Sequence, residues 1–409
     1  MQSEALLSTT LGAICEQQGG TIQTGPFGSQ LHASDYAASG TPVVMPADIV
    51  GGRVSTAAIA RVGIEHVERL SQHQLRFNDI VFSRRGDVTR FARVTAREVG
   101  WLCGTGCIKV RTGTGTIALP EWISIALAAP EVKDWLVRHA VGATMPNLNT
   151  SILGAVPLRV PPIEQQREAV EVCFALDDRI DLLRQTNATL ESIAQALFKS
   201  WFIDFDPVRA KAEGREPEGM DAATAALFPS EVKESEHGIV PKGWKALPFS
   251  ETIEILGGGT PKTSVPEYWE GDIPWFSVVD APANGQVFTI STEKHVTDAG
   301  VANSSTRILP PWTTIISARG TVGKLAMTGH PMAMNQSCYG LAPKLPGCEP
   351  MVYLSSQRIV EDLKRLAHGG VFDTITRATL ASVKVVTPEP QVALAFCALV
   401  RPIFERIQL

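Results

Sequence analysis

The sequence predicts a mixed α/β (α+β) chain in which one domain occurs twice, the two copies being joined by a long helix. Three observations predict it: an internal repeat, short Gly-punctuated β-like runs in both halves, and a narrow apolar seam through the middle of the chain.

The repeat rests on anchors that keep their order. Ile80–Arg90 (IVFSRRGDVTR) is echoed by Ile315–Lys324 (IISARGTVGK), and Gly86 matches Gly320, 234 positions on. Val156–Gln166 (VPLRVPPIEQQ) is echoed by Val383–Ala393 (VKVVTPEPQVA), and Asp177–Ile180 by Phe404–Ile407, both 227 positions on. A Gly-rich polar loop, Gly25–Gln30, stands where the second copy has Gly257–Lys262. Val, Ile and Phe runs bounded by Gly, Pro and Asn recur over 41–118 and 273–343 and read as short strands. Segments 121–139 and 351–367 carry helical periodicity.

The seam follows Pro161–Pro162. It passes through Cys173, Leu176, Ile180, Leu183, Asn187, Leu190, Ala194, Leu197 and Trp201, alternating steps of 3 and 4. Such a stripe suits a coiled coil roughly 45 Å long, with Asn187 fixing register. The plain alternative is one amphipathic helix packed on a globular core. The equivalent C-terminal stripe is Phe396, Val400, Ile403 and Ile407, and its helix is expected to be about half the length of the central one. Pro402 should kink that helix or mark its start. A short helix is expected over 218–227. The divisions expected are 1–160, a central helix and linker over 161–238, 239–386, and a closing helix over 387–409.

Composition sets outer bounds. The chain has 409 residues, 44% of them hydrophobic and 19% charged, an ordinary globular balance with room for two or three cores. No apolar run is long enough to span a membrane, and Met1–Glu16 lacks the pattern of a secretory leader. Seven scattered cysteines fit a reduced, cytoplasmic protein, and Cys103 and Cys107 lack the companions a zinc site needs. The net charge of −5 is segregated: residues 76–111 carry eight basic side chains against three acids, whereas 161–240 carry sixteen acids against eight. That contrast suits a phosphate-binding face beside a protein-facing scaffold, although a solvated charge run reads the same way.

Catalytic signatures are missing. No G-x-G-x-x-G opens a helix, and Gly320–Lys324 departs from a phosphate loop in its first glycine and in Leu325. No Asn/Asp-Pro-Pro-Tyr element or acid–Lys nuclease pattern occurs, and the eight histidines are dispersed. Asp204 and Asp206 could pass for a metal pair, but at a helix end they are expected to cap it or to bond neighbouring chain. A binding role fits better than an enzyme.

Two blocks then carry a resemblance: Gly257–Trp275 (GGGTPKTSVPEYWEGDIPW), and the central stretch from PPIEQQREAV to SWFIDFDPVRAKAEG, Pro161–Gly214. Met145–Asn149 (MPNLN) and the two Ser-x-Arg-Gly strands support it. The chain resembles the specificity subunit of type I restriction–modification systems. The resemblance implies two target recognition domains separated by long helices that pair as an antiparallel coiled coil. It implies double-stranded DNA with a split target, two methyltransferase subunits on the helices, and a restriction subunit where one is present. It implies no cofactor on this chain, with S-adenosylmethionine, ATP and Mg on the partner subunits.

Candidate DNA-contacting residues follow from the repeat: Ser29, Gln30, Arg84, Arg85 and Arg90 in the first copy, and Thr260, Lys262, Thr263, Arg319, Lys324, Asn335 and Gln336 in the second. Arginine suits phosphate or a guanine edge, amides suit adenine, and the glycines let backbone come close. Tyr268, Trp269 and Trp275 are assigned to the core. The reading from another class is a tandem-domain adaptor that binds protein or glycan.

Overall fold

The computed structural model describes residues 6–28, 30–142, 145–235, 238–282, 285–366 and 374–409. The chain divides into two compact units, Met1–Arg179 and Ile180–Leu409.

The first unit is built on an antiparallel sheet of β1 (Thr21–Thr24), β2 (Ile80–Ser83), β3 (Phe91–Arg93) and β4 (Cys107–Arg111), in the order β1-β4-β2-β3. The second unit repeats it with β5 (Ile253–Gly257), β6 (Thr314–Ser317), β7 (Leu325–Thr328) and β8 (Cys338–Pro343), in the order β5-β8-β6-β7, and adds Phe288–Thr289 parallel to β7 as a fifth strand. β2 and β6 show no apolar-in, polar-out alternation because every residue in them, the hydroxyl residues Ser83, Thr314 and Ser317 included, is buried. A smaller sheet recurs too. Leu102–Cys103 lies parallel to Thr41–Val44, as Ala333–Met334 lies parallel to Trp269–Phe276. Each domain is closed by a ladder between its ends: Leu7–Thr10 with Pro157–Val160, and Lys245–Pro248 with Lys384–Thr387. The repeat is therefore structural in the main sheet, the smaller sheet and the closing ladder.

In the first unit the sheet packs on Leu11, Ile14, Ile123, Leu127 and Leu136 from short helices. The predicted 121–139 helix is two, Pro120–Leu127 and Pro130–His139, because Pro130 restarts the chain. Its counterpart Glu349–Leu366 is continuous. The 218–227 helix shrinks to Ala222–Ala226, capped by the Asp221 side chain on the Thr224 amide.

The central helix runs Ile163–Phe202. Its start is locked by Gln166, which is fully buried. The Gln166 amide accepts from the Leu119 N–H at 2.8 Å and donates to the carbonyls of Ile117 (2.9 Å) and Pro161 (2.8 Å). Gln166→Ala leaves those buried groups unpaired and is expected to cost about 2 kcal/mol. Hydrogen exchange at the helix start checks this; unchanged protection over residues 163–170 would refute it. The helix ends where Phe205 takes a left-handed conformation (φ 57°) before Pro207. Asp204 there pairs with Lys199, and Asp206 accepts from Ser200 Oγ at 2.7 Å, so both acids bond neighbouring chain as expected.

Within the second unit the C-terminal helix, Pro390–Gln408, packs antiparallel on the distal half of the central helix. Asn187 Nδ2 donates to the Ile407 carbonyl at 3.2 Å, while Phe198 and Phe202 meet Phe396. Phe396, Val400 and Ile407 are buried as the stripe predicts, joined by Phe404. The helix passes through Pro402 and starts at Pro390, so Pro402 is not its start. It has 19 residues against 40 in the central helix.

Within this chain the seam is covered along only part of its length. Leu190 and Leu197 are partly buried against the core and Trp201 is buried, but Leu176, Ile180 and Leu183 are 59%, 44% and 44% exposed. The contact stops at Asn187, where the shorter helix ends. Phe198 and Phe202, also buried, lie beside the predicted stripe, because the aromatic cluster widens the interface beyond a two-position seam.

Candidate nucleic-acid interface

In both units the polar loops converge at one end of the main sheet. Antiparallel register dictates this: β4 begins opposite the end of β2 (Cys107 with Ser83), and β8 begins opposite the end of β6 (Cys338 with Ser317). Loops leaving β1 and β2, and loops entering β3 and β4, therefore share one rim.

Main-chain hydrogen bonds stitch the rim loop to loop. In the first unit Gly25 N–H donates to the Cys107 carbonyl (2.9 Å), Arg84 N–H to Gly106 (2.8 Å), and Gly86 N–H to Pro146 (3.1 Å). In the second, Gly259 N–H donates to Met334 (3.0 Å), Ala318 N–H to Ser337 (2.7 Å), and Ile375 N–H to Ala318 (2.9 Å). Two glycines are obligatory. A Cβ at Gly25 would stand 2.0 Å from the Gly104 carbonyl oxygen, and one at Gly258 would stand 1.9 Å from that of Asn335.

The Ser-x-Arg-Gly signature is a turn device. Ser83 Oγ donates to the Arg85 carbonyl at 2.8 Å, and Ser317 Oγ donates to the Thr321 carbonyl while accepting from the Lys324 amide at 2.8 Å. Gly86 and Gly320 sit at φ 77° and 75°, which favours glycine. The turn presents Arg85 and Arg319 to solvent.

The predicted residues fall into two sets. Arg85, Arg319, Lys324, Thr260, Lys262, Thr263 and Gln336 are exposed on the rims, and Thr260 Oγ1 hydrogen-bonds to Gln336 Oε1. Arg90 is exposed but paired with Asp87 at 3.0 Å. Gln30 is half-buried, its Oε1 accepting from the Phe27 amide at 3.1 Å. Arg84 is half-buried with Nε donating to the Leu148 carbonyl at 3.3 Å. Asn335 Oδ1 accepts from the Ser337 amide at 3.0 Å, making a local turn. Ser29 lies outside the described residues.

The basic stretch 76–111 is not one basic face. Lys109 is buried, Nζ donating to the carbonyls of Gln72 (2.8 Å) and Gln74 (3.2 Å); burial depresses its pKa. Arg111 is bonded to the buried Asp79 carboxylate at 2.6 and 2.8 Å. Arg97 bonds Glu98 and the Val54 carbonyl, both at 2.6 Å. Arg93 lies over the Phe174 ring of the central helix at 4.5 Å. These charges hold the first unit together, and charge in the sequence does not report burial. Cys103 and Cys107 are also buried, and burial pushes the Cys103 thiol up to about 12.

The tryptophans have a role beyond filling core. Trp275 Nε1 donates to the Gly259 carbonyl at 3.0 Å and Trp269 Nε1 to that of Lys262 at 3.3 Å, the two rings packed edge-to-face. They brace the second Gly-rich loop. The sequence signal was their spacing after that loop. The Gly104–Gly106 and Met145–Leu148 segments also belong to the first rim, though only the latter was singled out as a motif. Among the described residues no cluster of His, Cys, Asp or Glu is placed to hold a metal ion, and no helix is long and apolar enough to cross a membrane.

Comparison with known proteins agrees with this architecture. Residues 28–192 and 241–393 match the family model for the type I restriction modification DNA specificity domain, once in each half. The chain is 30% identical over 333 residues to the type I restriction enzyme HindI specificity subunit of Haemophilus influenzae, covering 71% of this chain and 72% of that one. It is 30% identical over 164 residues to the MjaIX specificity subunit of Methanocaldococcus jannaschii, covering 40% and 38%. In fold it resembles the crystal structure of the type I restriction–modification S subunit from M. genitalium, with a TM-score of 0.57, 12% identity, and 100% and 91% coverage. Nothing in these likenesses favours the adaptor reading. With its doubled domain, its two matching rims and its paired helices, the chain belongs to the type I restriction–modification DNA specificity family, as a non-catalytic subunit for DNA target recognition.

Proposed function

We propose that each rim reads one half of a split double-stranded DNA target, and that the helices carry the catalytic partners. The observation that supports this is the equivalence of the two rims: the same stitched loops, at the same end of the same sheet, present an arginine from the same turn. Arg85 and Arg319 are the principal contacts, to a guanine edge or to phosphate. Gln30 and Arg90 assist in the first rim, and Thr260, Lys262, Thr263, Lys324 and Gln336 in the second. Arg84 and Asn335 shape the turns beneath them. Two methyltransferase subunits dock on the central and C-terminal helices and hold S-adenosylmethionine; restriction subunits, where present, hold ATP and Mg. The joining helix would set the gap between the half-sites.

Arg85→Ala and Arg319→Ala should each weaken target binding by the assembled methyltransferase complex at least fivefold, with assembly intact. Wild-type binding should fall steeply with salt. Normal methylation of the target by both variants would sink the assignment. A map of N6-methyladenine in the source genome should show a motif with two short halves.

A further inference from the structure

The first rim carries a side chain that neither the charge nor the amide chemistry accounts for. Phe27 sits at the tip of the Gly25–Gln30 loop and is 58% exposed, although it is a large apolar ring. The backbone beneath it is fixed. The Phe27 N–H donates to Gln30 Oε1 at 3.1 Å, and its carbonyl accepts from the amides of Gln30 (2.8 Å) and Leu31 (3.3 Å). Leu31 is buried and anchors the far side of the turn. The near side is anchored at Gly25, whose amide bonds β4. Loop and arginine turn are joined through the 104–107 segment, which accepts from the Gly25 amide on one side and the Arg84 amide on the other. Hydrogen bonds to Gln30 and Leu31 thus hold an apolar ring in water on the same rim as Arg85. The second rim has the exposed Thr260 in its Gly-rich loop, and the described rings beside that loop, the half-buried Trp269 and the buried Trp275, brace it.

We propose that Phe27 is a wedge that inserts at a base-pair step of the half-site read by the first unit, partly unstacking it. A flat apolar ring on a preformed support suits this work, because stacking against a base face repays the opened step and needs no hydrogen bond. Among the described residues the second rim offers no equivalent exposed ring, so the deformation is assigned to the first half-site. The proposal rests on the rim being the DNA face, so its test keeps the two apart.

The experiment uses the assembled methyltransferase complex and duplexes carrying 2-aminopurine at successive positions of both half-sites, the methylated adenine excluded. The wild-type complex should raise fluorescence several-fold at one step of one half-site only. Phe27→Ala should abolish that rise and weaken binding about tenfold, while Phe27→Leu should restore part of both. If Phe27→Ala keeps the rise, or if no step brightens in the wild type, the wedge is wrong. If Phe27→Ala instead weakens assembly with the methyltransferase and leaves the fluorescence of the saturated complex unchanged, Phe27 is a partner contact and the wedge is again overturned. Arg85→Ala reports on the underlying reading: wild-type affinity in that variant removes the rim as the DNA face, whereas weakened affinity with an unaltered Phe27→Ala complex removes only the wedge.

Discussion

Phe396→Ala is expected to release the C-terminal helix from the central one. Phe396 is fully buried and meets Phe198, Trp201 and Phe202 at ring-centroid distances of 6.0, 5.4 and 4.9 Å. Removing a ring from such a cluster costs about 3–5 kcal/mol, through lost burial and the cavity left behind. The far end is held separately: Trp312 Nε1 donates to Gln408 Oε1 at 2.8 Å, and Gln408 Nε2 donates to the Gly329 carbonyl at 2.9 Å. The loss should therefore be concentrated where the two helices meet. Hydrogen exchange of the Pro390–Gln408 amides should quicken at least a hundredfold. Leu399→Ala, on the exposed side of the same helix, should change little. Equal exchange in Phe396→Ala and the wild type would show that the aromatic cluster does not hold the pair.

The second large effect is steric. Gly25→Ala and Gly258→Ala each drive a methyl group into a carbonyl oxygen, so the loop must lift off its neighbour. The stitching bond beside it, 2.9 Å from Gly25 to Cys107 or 3.0 Å from Gly259 to Met334, should break. The sheet below does not depend on these bonds, so the fold should survive. DNA affinity of the assembled complex should drop at least tenfold, since every contact on that rim is displaced. Gly257→Ala and Gly28→Ala are the controls, because a Cβ at either meets nothing within 4 Å. If all four variants bind alike, the close approach of the loops is irrelevant to recognition.

Much of this is legible in the sequence alone. The repeat was visible because Ser-x-Arg-Gly serves a turn that needs a hydroxyl, then a glycine at positive φ, in both copies. The Gly-rich loops were visible because carbonyls crowd them. What escaped depends on distant partners. Nothing local distinguishes Lys109, which is caged by carbonyls of residues 72 and 74, from a lysine on the surface. Leu176, Ile180 and Leu183 carry the seam's periodicity, yet whether a stripe is covered depends on what lies opposite. Phe198 and Phe202 fell outside the strict pattern because aromatic rings reach across a broader face than aliphatic chains. Gln166 looked like one more polar residue after Pro162, and only the fold reveals the three main-chain groups it satisfies.

The bonds of the Gly25, Arg84, Gly86, Gly259, Ala318 and Ile375 amides that stitch the rim loops run from main chain to main chain. Such bonds are blind to which side chain a residue bears. The residues that project from the frame, Arg85 and Arg319 foremost, can be exchanged without surrendering any of its hydrogen bonds. Preference for one DNA sequence over another is thereby uncoupled from the free energy of folding. A lineage can drift from one target to the next while the scaffold stays as stable as before, and the two halves can drift independently.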